Sequence, residues 1–293
     1  MPRSADERWE FPAIGTRWQI QTEAPLPERV RGGVAELIDA FDRAWSRFRS
    51  DSTVSALARA GGTVDAPPDA AAMLDLYGAL SDATSGAVNP LVGDALSRRG
   101  YDAAYGLIDG GAEPALAQWQ QILTCRERTL RLAQPATIDV GAIGKGRLVD
   151  LVMAEVSPWV DGRIVVDASG DLAVRGGVDA DPERVALEHP YDPQRAIGVW
   201  EINDGALCAS ATNRRAWGDG LHHVLDARTG EPVRTVAATW ARAADAMTAD
   251  AAATALFFDG GPRFAAERGV DWVRMTTEGR VEWSPNCKAE LFS

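Results

Sequence analysis

Between residues 28 and 48 apolar side chains return every three or four positions, at Val30, Val34, Leu37, Ile38, Phe41, Trp45 and Phe48. That period puts them on one face and predicts an amphipathic helix over about 28–48. Just upstream, "TRWQIQT" alternates in the manner of a strand. "RSDSTVSAL" predicts a short helix capped by Asp51 or Ser52. "DAAAMLDLYGALSDAT" predicts another, ended by Ser85-Gly86. Residues 114–139 are less regular, with short strands around "TLRLAQPATIDV". "GAIGKGRLVDLVMAEV" reads as a glycine-rich turn into a helix. "RIVVDASGDLAVRGG" reads as a buried strand, a turn and a second strand. Strand and turn dominate 184–240. "DAMTADAAATALFFDGG" and "PRFAAERG" predict helices, and "WVRMTTEGRVEW" a hairpin with Glu278-Gly279 at its tip. Loose alternation of helices with frequent hairpins favours an α+β fold over a doubly wound parallel sheet. No low-complexity linker or clean internal repeat divides the chain.

Bulk composition narrows the function classes. The 293 residues carry 42 acidic and 30 basic side chains, a formal charge of −12. Such a chain repels a phosphate backbone, which argues against nucleic-acid binding. A bound cation offsets local charge, so a single phosphate ligand is still permitted. Cys125, Cys208 and Cys287 lie far apart with no CxxC pair; buried thiols in a reducing compartment are the expectation. The charged start "MPRSADERWEF" lacks an apolar signal core, and no stretch approaches a membrane span. A cytoplasmic protein with no membrane span is expected.

Five stretches could carry chemistry. In "DVGAIGKGRLVD" three glycines permit close backbone approach, and a helix N-terminus with Lys145 would attract an anion. The stretch either cradles phosphate or is an ordinary strand-to-helix turn; it is neither a Walker A loop nor GxGxxG. Asp250 and Thr254 lie one helical turn apart on one face. Carboxylate plus hydroxyl suits a hard cation such as Mg²⁺; alternatively each bonds locally. Asp245 is a competing carboxylate with no hydroxyl four residues on. Asp167 and Asp171 bracket a Ser-Gly turn that could hold metal or expose Ser169, or simply be a tight turn. Asn89 in "DATSGAVNPLVG" could meet a heterocycle edge, as could any loop asparagine. Finally, His222 and His223 point to opposite sides of a strand, so at most one faces a site.

The order and wording of these stretches resemble the FAD:protein FMN transferase (ApbE-like) family along nearly the whole chain. The similarity runs through "IGTRWQI", "FDRAWSRFRSDSTVSAL", "TSGAVNPLVG", "IDVGAIGKGRLVD", "VVDASGDLAVRGG", "LHHVLDARTGEPV" and "ADAAATALFFDGG". The resemblance implies one T-fold-related domain over residues 1–293, with mixed or antiparallel sheets and packed helices. It implies Mg²⁺-dependent transfer of FMN from FAD to a Ser or Thr hydroxyl of a target flavoprotein, with release of AMP. The acceptor would carry a Ser/Thr-Gly-Ala-Ser/Thr-type motif. Some family members hydrolyse FAD to FMN and AMP instead, and a flavin carrier without turnover is a third possibility.

Matched residue by residue, Asp250, Thr254 and the main-chain carbonyl of Leu148 are the implied metal ligands. Ile14, Phe48, Ala87, Val88, Asn89, Lys145 and Leu225 are the implied FAD contacts, and His223 the implied general base. The chain departs from the family pattern at Ile14 (usually Met), Ala58 (commonly Asn), Asn89 (usually Asp) and Ala227 (usually Pro). "CASATNRRAWGDG" is unusually basic where a Ser-Gly turn is common, and Arg214 and Arg215 could assist an anionic ligand or be solvated surface groups. "DATSGAV" imitates the acceptor motif, but Val88 ends it, and it reads as the flavin loop.

Overall fold

The computed structural model describes residues 7–177 and 181–292. Its centre is an eight-stranded sheet. In spatial order the strands are Glu7–Ala13, Thr16–Thr22, Ile164–Asp167, Asp171–Arg175, Gly205–Ala211, Val236–Ala243, Asp271–Thr276 and Val281–Trp283. Every strand pairing among the described residues is antiparallel.

Alternation along these strands sorts side chains to two faces. Ile164, Val166, Ala173, Ala206 and Cys208 enter the main core, which the helices cover. Their neighbours Val165, Leu172, Val174 and Leu207 enter a second core with Leu187, Trp200 and Ile202. That second core lies under a three-stranded sheet formed by Glu183–His189, Asp192–Ile202 and Glu290–Leu291. Burial on both faces is the reason "RIVVD" is a continuous apolar run rather than an alternating one.

Eight α-helices are present among the described residues: α1 Glu28–Trp45, α2 Thr53–Ala60, α3 Ala70–Ala83, α4 Gly93–Arg98, α5 Trp119–Ile122, α6 Gly144–Val156, α7 Ala246–Ala255 and α8 Gly261–Glu267. Helix α1 buries Val30, Val34, Ile38 and Trp45 but stops three residues before the predicted end. Ser46 is extended, and its carbonyl accepts from the Ser52 hydroxyl at 2.5 Å while Ser52 also caps α2. The chain therefore turns at Ser46, and Phe48 leaves the helix for a separate aromatic cluster.

Helix α7 is buried on nearly every side by small residues: Ala246, Ala249, Ala251, Ala252, Ala253 and Ala255. Alanine lets it press against α6, where a Cβ on Gly146 would lie 2.2 Å from the Ala246 carbonyl oxygen. The choice between Asp245 and Asp250 is settled by capping. Asp245 accepts from the Thr248 N–H at 2.8 Å as the N-cap of α7, whereas Asp250 sits inside the helix, 3% exposed. Asp150 on α6 accepts from the N–H groups of Ala246 and Met247 at 2.7 and 2.9 Å, tying the start of α7 to α6. Among the described residues no helix is long and apolar enough to cross a membrane.

Candidate functional site

Where α6, α7 and the tips of the central strands meet, a cleft of about 930 Å³ opens. That is at the upper end of ligand pockets, about 300–1,000 Å³. Ile14, Phe48, Ala87, Val88, Asn89, Lys145, His223, Leu225, Asp250 and Thr254 all line it. They come from six separate stretches of sequence, and the fold alone assembles them.

At the floor, Asp250 accepts from the Gly146 N–H at 2.9 Å, and Thr254 Oγ1 donates to the Ala142 carbonyl at 3.4 Å. One carboxylate, one hydroxyl and one main-chain carbonyl thus converge. Burial, and then the like charge of Asp171, push the Asp250 carboxyl well above the usual carboxylate range, against the pull of Lys145. Lys145 Nζ lies 2.7 Å from Asp171, which is itself fully buried. Burial opposes the charge on Lys145, but Asp171 and Asp250 outweigh it and raise its pKa.

In the glycine-rich turn most main-chain donors are already engaged. The N–H groups of Ile143, Gly144 and Arg147 bond to carbonyls of the same segment, and that of Gly146 bonds to Asp250. Of its glycines, Gly146 serves close approach between α6 and α7, while Gly141 and Gly144 face Asp139 and Val140 of their own segment.

An aromatic wall rises on another side. Phe48 stacks on Tyr105 (centroids 5.4 Å, 13°) and meets Tyr101 edge-on, while Tyr101 stacks on Trp217. Arg47 lies 4.2 Å over the Phe48 ring and 2.5 Å from Asp139, whose own main-chain carbonyl accepts from Tyr77. Tyr101, Tyr105, Trp217, Asp139 and Arg47 also line the cleft; Asp139, Arg47 and Trp217 lie inside stretches quoted above without being singled out, and nothing in the local sequence marks Tyr101 or Tyr105.

The histidines separate as alternation predicts. His222 Nε2 pairs with the Val233 carbonyl at 2.9 Å, and its Nδ1 accepts from the Val224 N–H at 3.3 Å, a structural role. His223 is half-buried against the cleft, with a buried Nδ1 that has no partner among the described residues. Burial first, then Arg215, lower its pKa to about 3, so the ring is neutral at physiological pH.

A sequence model of the ApbE family matches residues 14–274. The chain belongs to the ApbE family. A curated relative, the FAD:protein FMN transferase of Rhodobacter capsulatus, is 29% identical over 307 residues. The alignment covers 96% of this chain but 57% of that protein, so the chain spans little more than half the relative's length. Among solved structures, an ApbE protein of Thermotoga maritima superposes with a TM-score of 0.81 at 21% identity, covering 96% of this chain and 97% of that one. The Pseudomonas stutzeri flavinyl transferase ApbE gives 0.79 at 22% identity (96% and 95%). The Vibrio cholerae flavin transferase ApbE gives 0.76 at 21% (97% and 98%).

Leu148, three residues after the lysine, does not line the cleft; its side chain is fully buried in the main core, two residues beyond the α6 glycine that contacts Asp250. The carbonyl that meets Thr254 belongs to Ala142, three residues before the lysine; the Gly146 N–H four residues on donates to Asp250 and leaves that carbonyl to Thr254. Two departures have physical reasons. Asn89 donates to the Leu116 carbonyl at 2.9 Å and accepts from the Leu91 N–H at 2.8 Å; an aspartate could not donate. Ala227 donates its N–H to the Ala87 carbonyl at 3.0 Å, a bond proline lacks. Ile14 takes a left-handed conformation, φ 43°, with Gly15 at the tip of the first hairpin, strained for a β-branched residue. Ala58 does not line the cleft.

Proposed function

We propose that this chain transfers FMN from FAD to a Ser or Thr hydroxyl of a target flavoprotein, releasing AMP, with Mg²⁺ as cofactor and residues 1–293 acting as one domain. The observation that carries this reading is the convergence of Asp250, Thr254 and the Ala142 carbonyl at the floor of a large, aromatic-walled cleft.

Among the described residues no cluster of three or more His, Cys, Asp or Glu side chains could hold a metal. The donors present are instead hard oxygens, few in number, beside a buried carboxyl raised by its surroundings. That set fits Mg²⁺, which takes one or two carboxylates and completes its shell with water and substrate phosphate. When bound, Mg²⁺ would neutralise charge on the diphosphate and hold it in line for displacement.

The protein's own groups do the rest. Phe48 and the loop Ala87–Asn89 offer apolar surface to a flat ring. The ion pair with Asp171 fixes Lys145 beside Asp250. The acceptor hydroxyl oxygen attacks the phosphorus of the FMN half, and the bond from that phosphorus to the oxygen of the AMP half breaks. His223, neutral, takes the hydroxyl proton, and AMP departs with the bonding pair. A ring with a pKa of about 3 is a weak base; an anionic diphosphate beside it raises the value toward the working range.

The test is incubation with FAD, Mg²⁺ and a peptide bearing the acceptor motif. Covalent flavin fluorescence on the peptide is the expected result. FMN and AMP without labelling would identify an FAD pyrophosphatase, and bound but unchanged FAD a carrier. Failure to bind FAD refutes the reading.

A further inference from the structure

Five cationic side chains line the cleft among the described residues: Arg47, Arg49, Lys145, Arg214 and Arg215. Four already face a carboxylate. Arg47 lies 2.5 Å from Asp139, Arg49 bridges Asp39, Asp42 and Asp51, Lys145 lies 2.7 Å from Asp171, and Arg214 lies 2.9 Å from Glu188. The Arg215 side chain alone has no hydrogen-bond or ion-pair partner among the described residues, and it is exposed to the cleft.

Its position follows from a small hairpin. Ala216 pairs with His222 and Trp217 with Leu221. Arg215 and His223 immediately flank those two pairs, one on each arm of the hairpin, and both line the cleft. The hairpin is anchored where it must be rigid: Trp217 Nε1 donates to the Arg99 carbonyl at 2.9 Å, and His222 is held by Val233. The charge of Arg215 reaches the reacting end of the cleft. After burial it is the next influence holding the His223 pKa low.

We propose that Arg215 is a phosphate-binding residue of the cleft, holding the diphosphate of the dinucleotide substrate beside His223. The assignment rests on the FAD reading above. A −12 protein that receives a dianionic group needs an uncommitted cation there, and a guanidinium offers two parallel N–H donors to phosphate oxygens. The bound phosphate also compensates the charge that otherwise disfavours proton uptake at His223.

The experiment compares Kd for FAD and for riboflavin, both with Mg²⁺, in wild type, Arg215→Gln, Arg215→Lys and Arg214→Gln. Arg215→Gln should weaken FAD binding on the order of tenfold or more, the worth of a charged hydrogen bond. Riboflavin, which has no phosphate, should bind as in wild type. Arg215→Lys should recover part of the loss, and Arg214→Gln should lose far less. An unchanged FAD Kd in Arg215→Gln overturns the assignment alone. So does equal loss for both ligands, which marks a structural role, or equal loss in Arg214→Gln, which marks net charge. Wild-type protein that binds neither flavin overturns the cleft reading and this assignment together.

Discussion

Gly146→Ala tests how the site is held. The added Cβ would lie 2.2 Å from the Ala246 carbonyl oxygen and 2.7 Å from Asp250 Cβ. Both belong to α7, and the nearer is backbone, so no side-chain rotation relieves the contact. Helices α6 and α7 must part by about 1 Å to restore ordinary van der Waals distance. The Gly146 N–H bond to Asp250, 2.9 Å at present, then stretches past hydrogen-bonding range. Overpacking costs about 1–3 kcal/mol, and a lost hydrogen bond to a buried carboxylate about 1.5–3 kcal/mol more. The helix-propensity gain of about 1 kcal/mol for Gly to Ala acts against this and is smaller. A net loss of about 2–5 kcal/mol should appear as a lowered urea midpoint, together with loss of Mg²⁺-dependent FAD turnover. Gly144→Ala is the control: its Cβ meets a Val140 methyl at 2.9 Å, and that side chain can rotate. A Gly146→Ala protein as stable and active as Gly144→Ala would refute the close-packing account.

Asp250→Asn should abolish Mg²⁺-dependent turnover while far-ultraviolet circular dichroism stays unchanged; turnover retained with Mg²⁺ would remove Asp250 from the metal site. His223→Gln should slow transfer on the order of a hundredfold or more with FAD binding retained, while His222→Gln should lower stability by about 1–2 kcal/mol through its two lost bonds. Steady-state rates and denaturation midpoints separate the pair, and the reverse pattern would exchange their roles. Asp150 gives a pH test. Burial raises its pKa from 3.8 to about 6 despite the Ala246 and Met247 N–H groups, so the folded protein holds the extra proton between those values. Stability from this group is therefore greatest at low pH and falls as pH rises through about 4–6, by up to about 3 kcal/mol. Urea midpoints of wild type relative to Asp150→Asn should fall across that window, and a pH-independent difference would sink the linkage.

Most elements were legible because their signals are local. The α1 face, the Ser52 cap and the Glu278-Gly279 hairpin each follow from residues within a turn or two of one another. The overlong prediction for α1 has a tertiary cause: Phe48 continues the helical period but packs with Tyr101 and Tyr105 instead. The glycine-rich turn misleads for a similar reason. Its glycines permit close approach, and the sequence does not say what approaches; at Gly146 it is α7.

By itself the sequence determined the family, the α+β class and the residue types that reach the cleft. These depend on short-range periodicity and on an ordered set of motifs. Only the tertiary structure decided which groups are already engaged. It paired Lys145 with Asp171, placed the Ala142 carbonyl at Thr254, gave His222 a structural role, and set Arg215 and His223 on the two arms flanking a small hairpin. Hydrogen bonds and ion pairs between distant segments are set by packing distances of a few ångströms, and no local pattern encodes them.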